Sequence, residues 1–130
     1  MIRILIADDH TIVRKGLRQI LAEEFTDSLI EEVSDADELI KRVIREKWDI
    51  VISDLAMPGG GGFFALKKII QAKKNLPVLI VSTSPAEQYQ APAIKAGAKG
   101  FICKDALPHD LVIATRRILG EKKILCNNTR

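Results

Sequence analysis

The 130-residue sequence has no long hydrophobic run, few cysteines and no strong excess of charge of either sign. Its most apolar opening, Ile2 to Ala7, stops at Asp8-Asp9, far short of the roughly 20 residues that a membrane-spanning helix needs. No signal peptide is visible either, so the expectation is a cytoplasmic protein that makes no membrane contact. The two cysteines, Cys103 and Cys126, lack zinc spacing and have no histidine pattern beside them; free thiols in a reducing compartment are expected. With 20 Lys and Arg against 17 Asp and Glu, the net charge is only +3 and the basic residues are scattered. That argues against direct nucleic-acid binding by this chain. There is no internal repeat or low-complexity segment, and the glycines from Gly59 to Gly62 are not followed by Gly-Lys-Ser/Thr, which excludes a P-loop.

What is present is an ordinary globular composition, 47% apolar and 28% charged, in a length that suits one domain with a real core. Short apolar runs alternate with longer amphipathic stretches. Ile2 to Ala7 reads as a buried strand. From Thr11 to about Phe25 the residues Ile12, Val13, Leu17, Ile20 and Leu21 recur at helical spacing. Leu29 to Val33 is a second strand. Asp35 with Glu38 three residues on forms a capping-box pattern, opening a helix whose apolar stripe is Ala36, Leu39, Ile40, Val43 and Ile44. Ile50 to Ser53 is a third strand, ending at Asp54. Pro58 and the four glycines then read as a mobile loop before a helix carrying Phe64, Leu66, Ile69 and Ile70.

Val78 to Val81 is the fourth strand, with Pro77 at its mouth. The following helix, about Ala86 to Ala96, contains Pro92 and should be short, kinked or late-starting. Gly100 to Cys103 is the fifth strand. The last helix should open near Pro108 and close before Gly120 as its C′ residue. Five βα units with short loops imply an α/β, flavodoxin-like doubly wound parallel sheet, and right-handed crossovers favour the strand order 2-1-3-4-5. The domain is expected over residues 1–120, with 121–130 a tail or the start of a linker.

In such sheets ligands bind at the carboxyl ends of the strands. There the sequence places Asp8 and Asp9 after the first strand, Asp54 after the third, Ser82 and Thr83 after the fourth and Lys104 after the fifth. Three clustered carboxylates repel one another unless a cation compensates them. Mg²⁺ takes a few carboxylates plus waters and a phosphate oxygen. With an ammonium and a hydroxyl beside it, such a site suits a transferring phosphoryl group, with a carboxylate as nucleophile.

Asp8-Asp9, the segment Trp48 to Pro58 around Asp54, Ser82, and Gly97 to Lys104 together resemble the receiver domain of two-component response regulators, over roughly residues 2–120. The resemblance implies that Asp54 is the phosphoacceptor. It also implies that Asp9 and Asp54 hold Mg²⁺ with the Ala56 backbone carbonyl, Asp8 acting largely through water. Lys104 would pair with Asp54 or its phosphate. Ser82 would bond a phosphate oxygen and Phe101 would change rotamer, carrying the switch to the surface of the fourth helix, fifth strand and fifth helix. A sensor histidine kinase would be the phosphodonor, and phosphorylation could drive a homodimer.

The Asp8-Asp9-His10 start and the Leu119 to Leu125 segment also look like the branch that carries LuxR-type DNA-binding domains. Transcriptional output would then lie in a C-terminal domain outside this chain, which is expected to be a receiver fragment, with a natural stand-alone receiver as the alternative. Alanine at 56 and serine at 84 occupy positions expected to tune phosphate lifetime.

Blander readings exist for each residue. Asp8 and Asp9 could be acidic caps of the first helix, Ser82 a local backbone-bonding serine, and Phe101 simply core; without a hydroxyl, it cannot make a tyrosine's hydrogen bond. His10 is a weak ligand candidate because magnesium prefers oxygen. Two rival functions remain. A phosphohydrolase of the haloacid dehalogenase type would want an acid two residues after the nucleophile, where Ala56 stands. A non-phosphorylated receiver-like module would be expected to lose an acid or the lysine. The expectation is therefore a phosphorylation switch with self-catalysed phosphotransfer and autodephosphorylation, not a turnover enzyme.

Overall fold

The computed structural model describes residues 1–57, 59, 61–82 and 86–128, with only the backbone of 86, 87, 106 and 121–128. Pro58, Gly60, Thr83 and Ser84 lie outside the described residues, as does the side chain of Cys126. Five parallel strands, β1 (Ile2–Ala7), β2 (Ser28–Val33), β3 (Ile50–Ser53), β4 (Val78–Ser82) and β5 (Gly100–Cys103), form one sheet in the order β2-β1-β3-β4-β5. The helices are α1 (Thr11–Glu24), α2 (Ala36–Arg45), α3 (Gly61–Ala72), α4 (Ala86–Lys95) and α5 (His109–Asn128), with a 3-10 turn over Lys104–Ala106. The expected flavodoxin-like topology is the one observed. Among the described residues no helix is long and apolar enough to cross a membrane.

The period of two along each strand divides the core. Leu5, Ala7, Val51, Val78 and Ile80 face one side with Ala36, Leu39, Val43, Ala65, Leu66, Ile69 and Ala93 from α2, α3 and α4. Ile4, Ile6, Ile50, Ile52, Leu79 and Val81 face the other with Leu17, Leu21, Leu111 and Ile118 from α1 and α5. Side chains that alternate in this way bury both faces of the sheet, and each fully buried aliphatic contributes about 1.5–3 kcal/mol. At the amino-terminal end of β3, Trp48 is 7% exposed and donates from its indole N–H to the Arg42 carbonyl, while Asp49 accepts the Arg3 backbone N–H at 2.8 Å.

Local signals explain the boundaries. The Asp35 carboxylate accepts the Glu38 N–H at 2.7 Å, so α2 starts where the capping pattern placed it. Three apolar assignments fail. Ile12, Ile44 and Phe64 are exposed at 88%, 57% and 43%. At about 100° per residue, Ile12 points away from the Leu17–Leu21 stripe and Ile44 lies on the flank of the Ala36–Val43 stripe. Phe64 instead lies beside the Lys68 ammonium, 5.6 Å from its ring centre.

The other corrections concern glycine and proline. Gly61 and Gly62 are not loop but the first residues of α3. A Cβ on Gly62 would collide with the Asp54 carbonyl and the Leu55 backbone, and the Gly62 N–H donates to the Leu55 carbonyl at 2.7 Å. That glycine therefore permits a close backbone approach directly beneath Asp54. Helix α4 is short, as expected, but it starts at Ala86 and runs through the exposed Pro92, whose carbonyl accepts the Ala96 N–H at 3.0 Å. Helix α5 does not close before Gly120; it continues to Asn128, and Gly120 lacks the positive φ of a C′ glycine.

Candidate functional site

Strand register builds the site. Ala7 pairs with Ser53, so Asp8 and Asp54 leave β1 and β3 side by side, and the Asp54 N–H donates to the Ala7 carbonyl at 2.9 Å. Ser82 pairs with Cys103, so Lys104 follows one residue beyond Ser82. The Lys104 side chain, 9% exposed, brings Nζ within 3.0 Å of Asp8 Oδ2 and 3.5 Å of Asp54 Oδ2. Asp8 and Asp54 are 1% and 4% exposed. Asp9 is more open, and His10, largely exposed, sets Nδ1 at 3.0 Å from Asp8 Oδ1 and 3.1 Å from Asp9 Oδ1. Ligand atoms of Asp8, Asp9, His10 and Asp54 all lie within 4.8 Å of one another.

The electrostatics are under-compensated. Burial pushes the Asp54 carboxyl above the usual carboxylate range, and the neighbouring Asp8 adds to the rise. Lys104 opposes it, as do the backbone N–H groups of Leu55 and Ala56, the former at 2.8 Å from Oδ1. One ammonium thus serves two buried carboxylates. Asp8 Oδ2 is ion-paired to Lys104 Nζ but accepts no hydrogen bond among the described residues. Three clustered carboxylates that share one ammonium are the environment that a divalent cation with oxygen ligands satisfies. The residues present fit such an ion.

The remaining expected residues fall around this pocket. Ser82 is buried at the end of β4. Ala56 is exposed two residues beyond Asp54. Phe101, on β5, is half-buried against the core on the α2–α3–α4 side. The capping reading of Asp8 and Asp9 fails, because the N-cap of α1 is His10 and the first turn of α1 contains no acid.

Sequence reasoning missed Arg14. Its Nη1 donates to the Asp8 carbonyl at 2.8 Å and its Nε to Glu32 Oε1 at 2.9 Å. Arg14 lies one turn beyond His10 on α1, but nothing in the linear sequence shows that Glu32 on β2 would face it. Gly62 was missed as a contact residue for the same reason.

Residues 4–116 match the family described as the response regulator receiver domain. The uncharacterized transcriptional regulatory protein YhcZ of Bacillus subtilis is 36% identical over 118 residues, which are 91% of this chain and 55% of that protein. The chain spans just over half the length of the curated relatives it matches. Among solved structures, a LuxR-family two-component response regulator from Aurantimonas superposes with a TM-score of 0.84 at 35% identity, covering 92% of this chain and 85% of that one. A CheY-like receiver domain protein from Methanospirillum hungatei gives a TM-score of 0.86 at 26% identity, covering 95% and 97%. With its fold, its acidic pocket and these relatives in agreement, the chain belongs to the response regulator receiver family, with LuxR-family regulators among its relatives.

Proposed function

We propose that the chain is a phosphorylation switch in which Asp54 accepts a phosphoryl group from a phosphohistidine of a sensor histidine kinase. An Asp54 carboxylate oxygen would form the O–P bond as the donor's N–P bond breaks, leaving an aspartyl phosphate and a neutral imidazole once the leaving nitrogen takes a proton. Asp8, Asp9, Asp54 and the Ala56 carbonyl would hold Mg²⁺, which when bound supplies charge neutralisation for the phosphoryl oxygens. Lys104 adds a fixed positive charge beside the nucleophile without needing to reorganise. The observation that carries the reading is this ammonium within 3.5 Å of a buried, incompletely neutralised aspartate.

Ser82 would turn toward the new phosphate, and Phe101 would follow. The α4–β5–α5 surface then becomes the bistable element biased by the added charge. The output would be transcription, through a LuxR-type DNA-binding domain joined beyond residues 1–120, with homodimerisation on phosphorylation and a cytoplasmic location. The length of the relatives supports this reading. Because position 56 is alanine, no second acid stands ready to support hydrolase turnover, and the chemistry is a single transfer with slow self-dephosphorylation.

Intact-mass measurement after incubation with Mg²⁺ and a small-molecule phosphodonor tests the proposal. One added phosphoryl group in the parent, and none in Asp54→Asn, is the expected result. Equal uptake by both proteins would reject Asp54 as acceptor, and turnover of a phosphate ester would favour a hydrolase.

A further inference from the structure

The amino-terminal end of the sheet, opposite Asp54, carries a charge pattern that the near-neutral total conceals. Between Leu55 and Cys103 the only acid is Glu87, against six lysines. The sheet order β3-β4-β5 sets three helix-to-strand connections side by side at that end. Lys47 precedes β3, Lys73 and Lys74 precede β4, and Lys95 and Lys99 precede β5. Cations at helix C-termini complement the helix dipole, and that local role alone would leave them on a solvated rim. Lys47, Lys73 and Lys74 instead surround a cleft of about 400 Å³ that is walled by Trp48 and Leu76.

This cleft is positive, and its apolar wall is fixed. None of the three lysines has an ion-pair partner among the described residues. The two acids on the rim are engaged: Glu46 Oε1 meets Arg42 Nε at 2.8 Å, and Asp49 Oδ2 accepts the Arg3 backbone N–H at 2.8 Å. Trp48 is held by the guanidinium groups of Arg3 and Arg42, whose central carbons lie 5.1 and 5.6 Å from its ring centre. Unneutralised ammonium groups around an apolar wall complement a chain that carries carboxylates and an apolar side chain. A nucleic-acid backbone or a layer of lipid headgroups would meet the lysines but leave the apolar wall unfilled. We infer that this cleft docks an acidic peptide segment of a partner protein, whose apolar side chain enters between Trp48 and Leu76 while its carboxylates meet Lys47, Lys73 and Lys74. Docking there and phosphorylation at the other end of the sheet use no residue in common.

The test uses Trp48, the single tryptophan of the chain, as reporter. The probe is a short blocked peptide of glutamate and aspartate with one central leucine, titrated into the full chain at low salt. Trp48 fluorescence should shift on binding, and the affinity should fall as salt rises. Lys47→Gln, Lys73→Gln and Lys74→Gln combined should cost about tenfold or more in affinity, whereas Lys67→Gln, exposed on α3 outside the cleft, should stay within about twofold of the parent. Serine in place of the peptide's leucine should weaken binding by about tenfold, the order of one buried apolar side chain. Cooperative thermal unfolding of the triple variant, as in the parent, establishes that it folds. Fluorescence unchanged up to about 1 mM peptide, equal binding of the serine peptide, or equal losses in Lys67→Gln and the triple variant would overturn the docking site. Tighter binding of a DNA duplex or of phosphatidylglycerol vesicles, lost in the triple variant, would assign the lysines to phosphate and overturn the peptide partner.

Discussion

Two carboxylates at the same end of the sheet, both nearly inaccessible, are driven in opposite directions. Glu32 on β2 is 8% exposed and meets Arg14 Nε at 2.9 Å, Lys15 Nζ at 3.2 Å and Arg18 Nη1 at 2.6 Å. Burial resists its ionisation, but hydrogen bonds from Arg18, Arg14 and Lys15 prevail and pull its pKa down to about 2. Asp54, 4% exposed, shares one ammonium with Asp8, and burial leaves its carboxyl above the ordinary range. Burial raises both carboxyls, and more strongly at the deeper Asp54; what offsets it is three cationic side chains at Glu32 against one shared ammonium at Asp54. The saturated cluster has no capacity left for a further cation, while the starved one does. Arg14 links the two, because it also donates to the Asp8 carbonyl and so anchors the turn from which the pocket is built.

The largest effect should come from removing the charge of the saturated carboxylate. Glu32→Gln is expected to lose about 2–3 kcal/mol at neutral pH in urea unfolding, the order set by its lowered pKa with a reduction for the solvent-exposed partners. A carboxyl whose folded pKa lies below its unfolded value contributes stability that is complete above the unfolded pKa, near 4.5, and is lost as pH falls toward about 2. The gap between parent and variant should therefore close across that acid interval. A gap that stays constant from pH 7 to pH 3 would show that Glu32 acts through packing, and the comparison with Asp54 would fail.

Asp54→Asn should act in the other direction and more weakly. With the folded carboxyl raised above its unfolded value, ionisation costs stability at neutral pH, and the cost disappears as pH falls below the ordinary carboxylate range. The variant is expected to gain about 1 kcal/mol at pH 7, the usual scale of a stabilising single change, measured as a higher unfolding midpoint. A loss of stability on this substitution would mean that Lys104 already compensates Asp54 in full, and the pocket would not be starved of charge.

These two clusters were not equally legible in the sequence. Asp8, Asp9, Asp54 and Lys104 each end a strand, so the sheet order alone brings them together. The apolar runs that reveal the strands are continuous because both faces are covered. Glu32 faces α1 across a βα crossover, and pairing it with Arg14, Lys15 and Arg18 requires the position of a helix over a strand, which periodicity does not provide. The same limit explains Gly62. Its lack of a side chain reads as loop flexibility, whereas its structural use is contact with the backbone of Asp54 and Leu55. Gly120 fails for a related reason. A glycine inside a helix costs only about 1 kcal/mol, and the burial of Leu111, Thr115 and Ile118 on one face of α5 holds the helix up to that point.

The smallest effect tests whether the saturated cluster is as redundant as its three cations suggest. Lys15 is 60% exposed, against 15% for Arg14, and its ammonium is the longest of the three contacts. Water and salt already screen it, so Lys15→Ala should change stability by about 0.5 kcal/mol or less, and by less still in 1 M salt. Arg14 combines low exposure with two acceptors, one on β2 and one in the turn after β1, so Arg14→Ala should exceed that loss several-fold and should also weaken Mg²⁺ binding by freeing the Asp8 turn. If instead Lys15→Ala and Arg14→Ala cost the same, with Mg²⁺ affinity unaltered, the two clusters are independent and Arg14 does not join them.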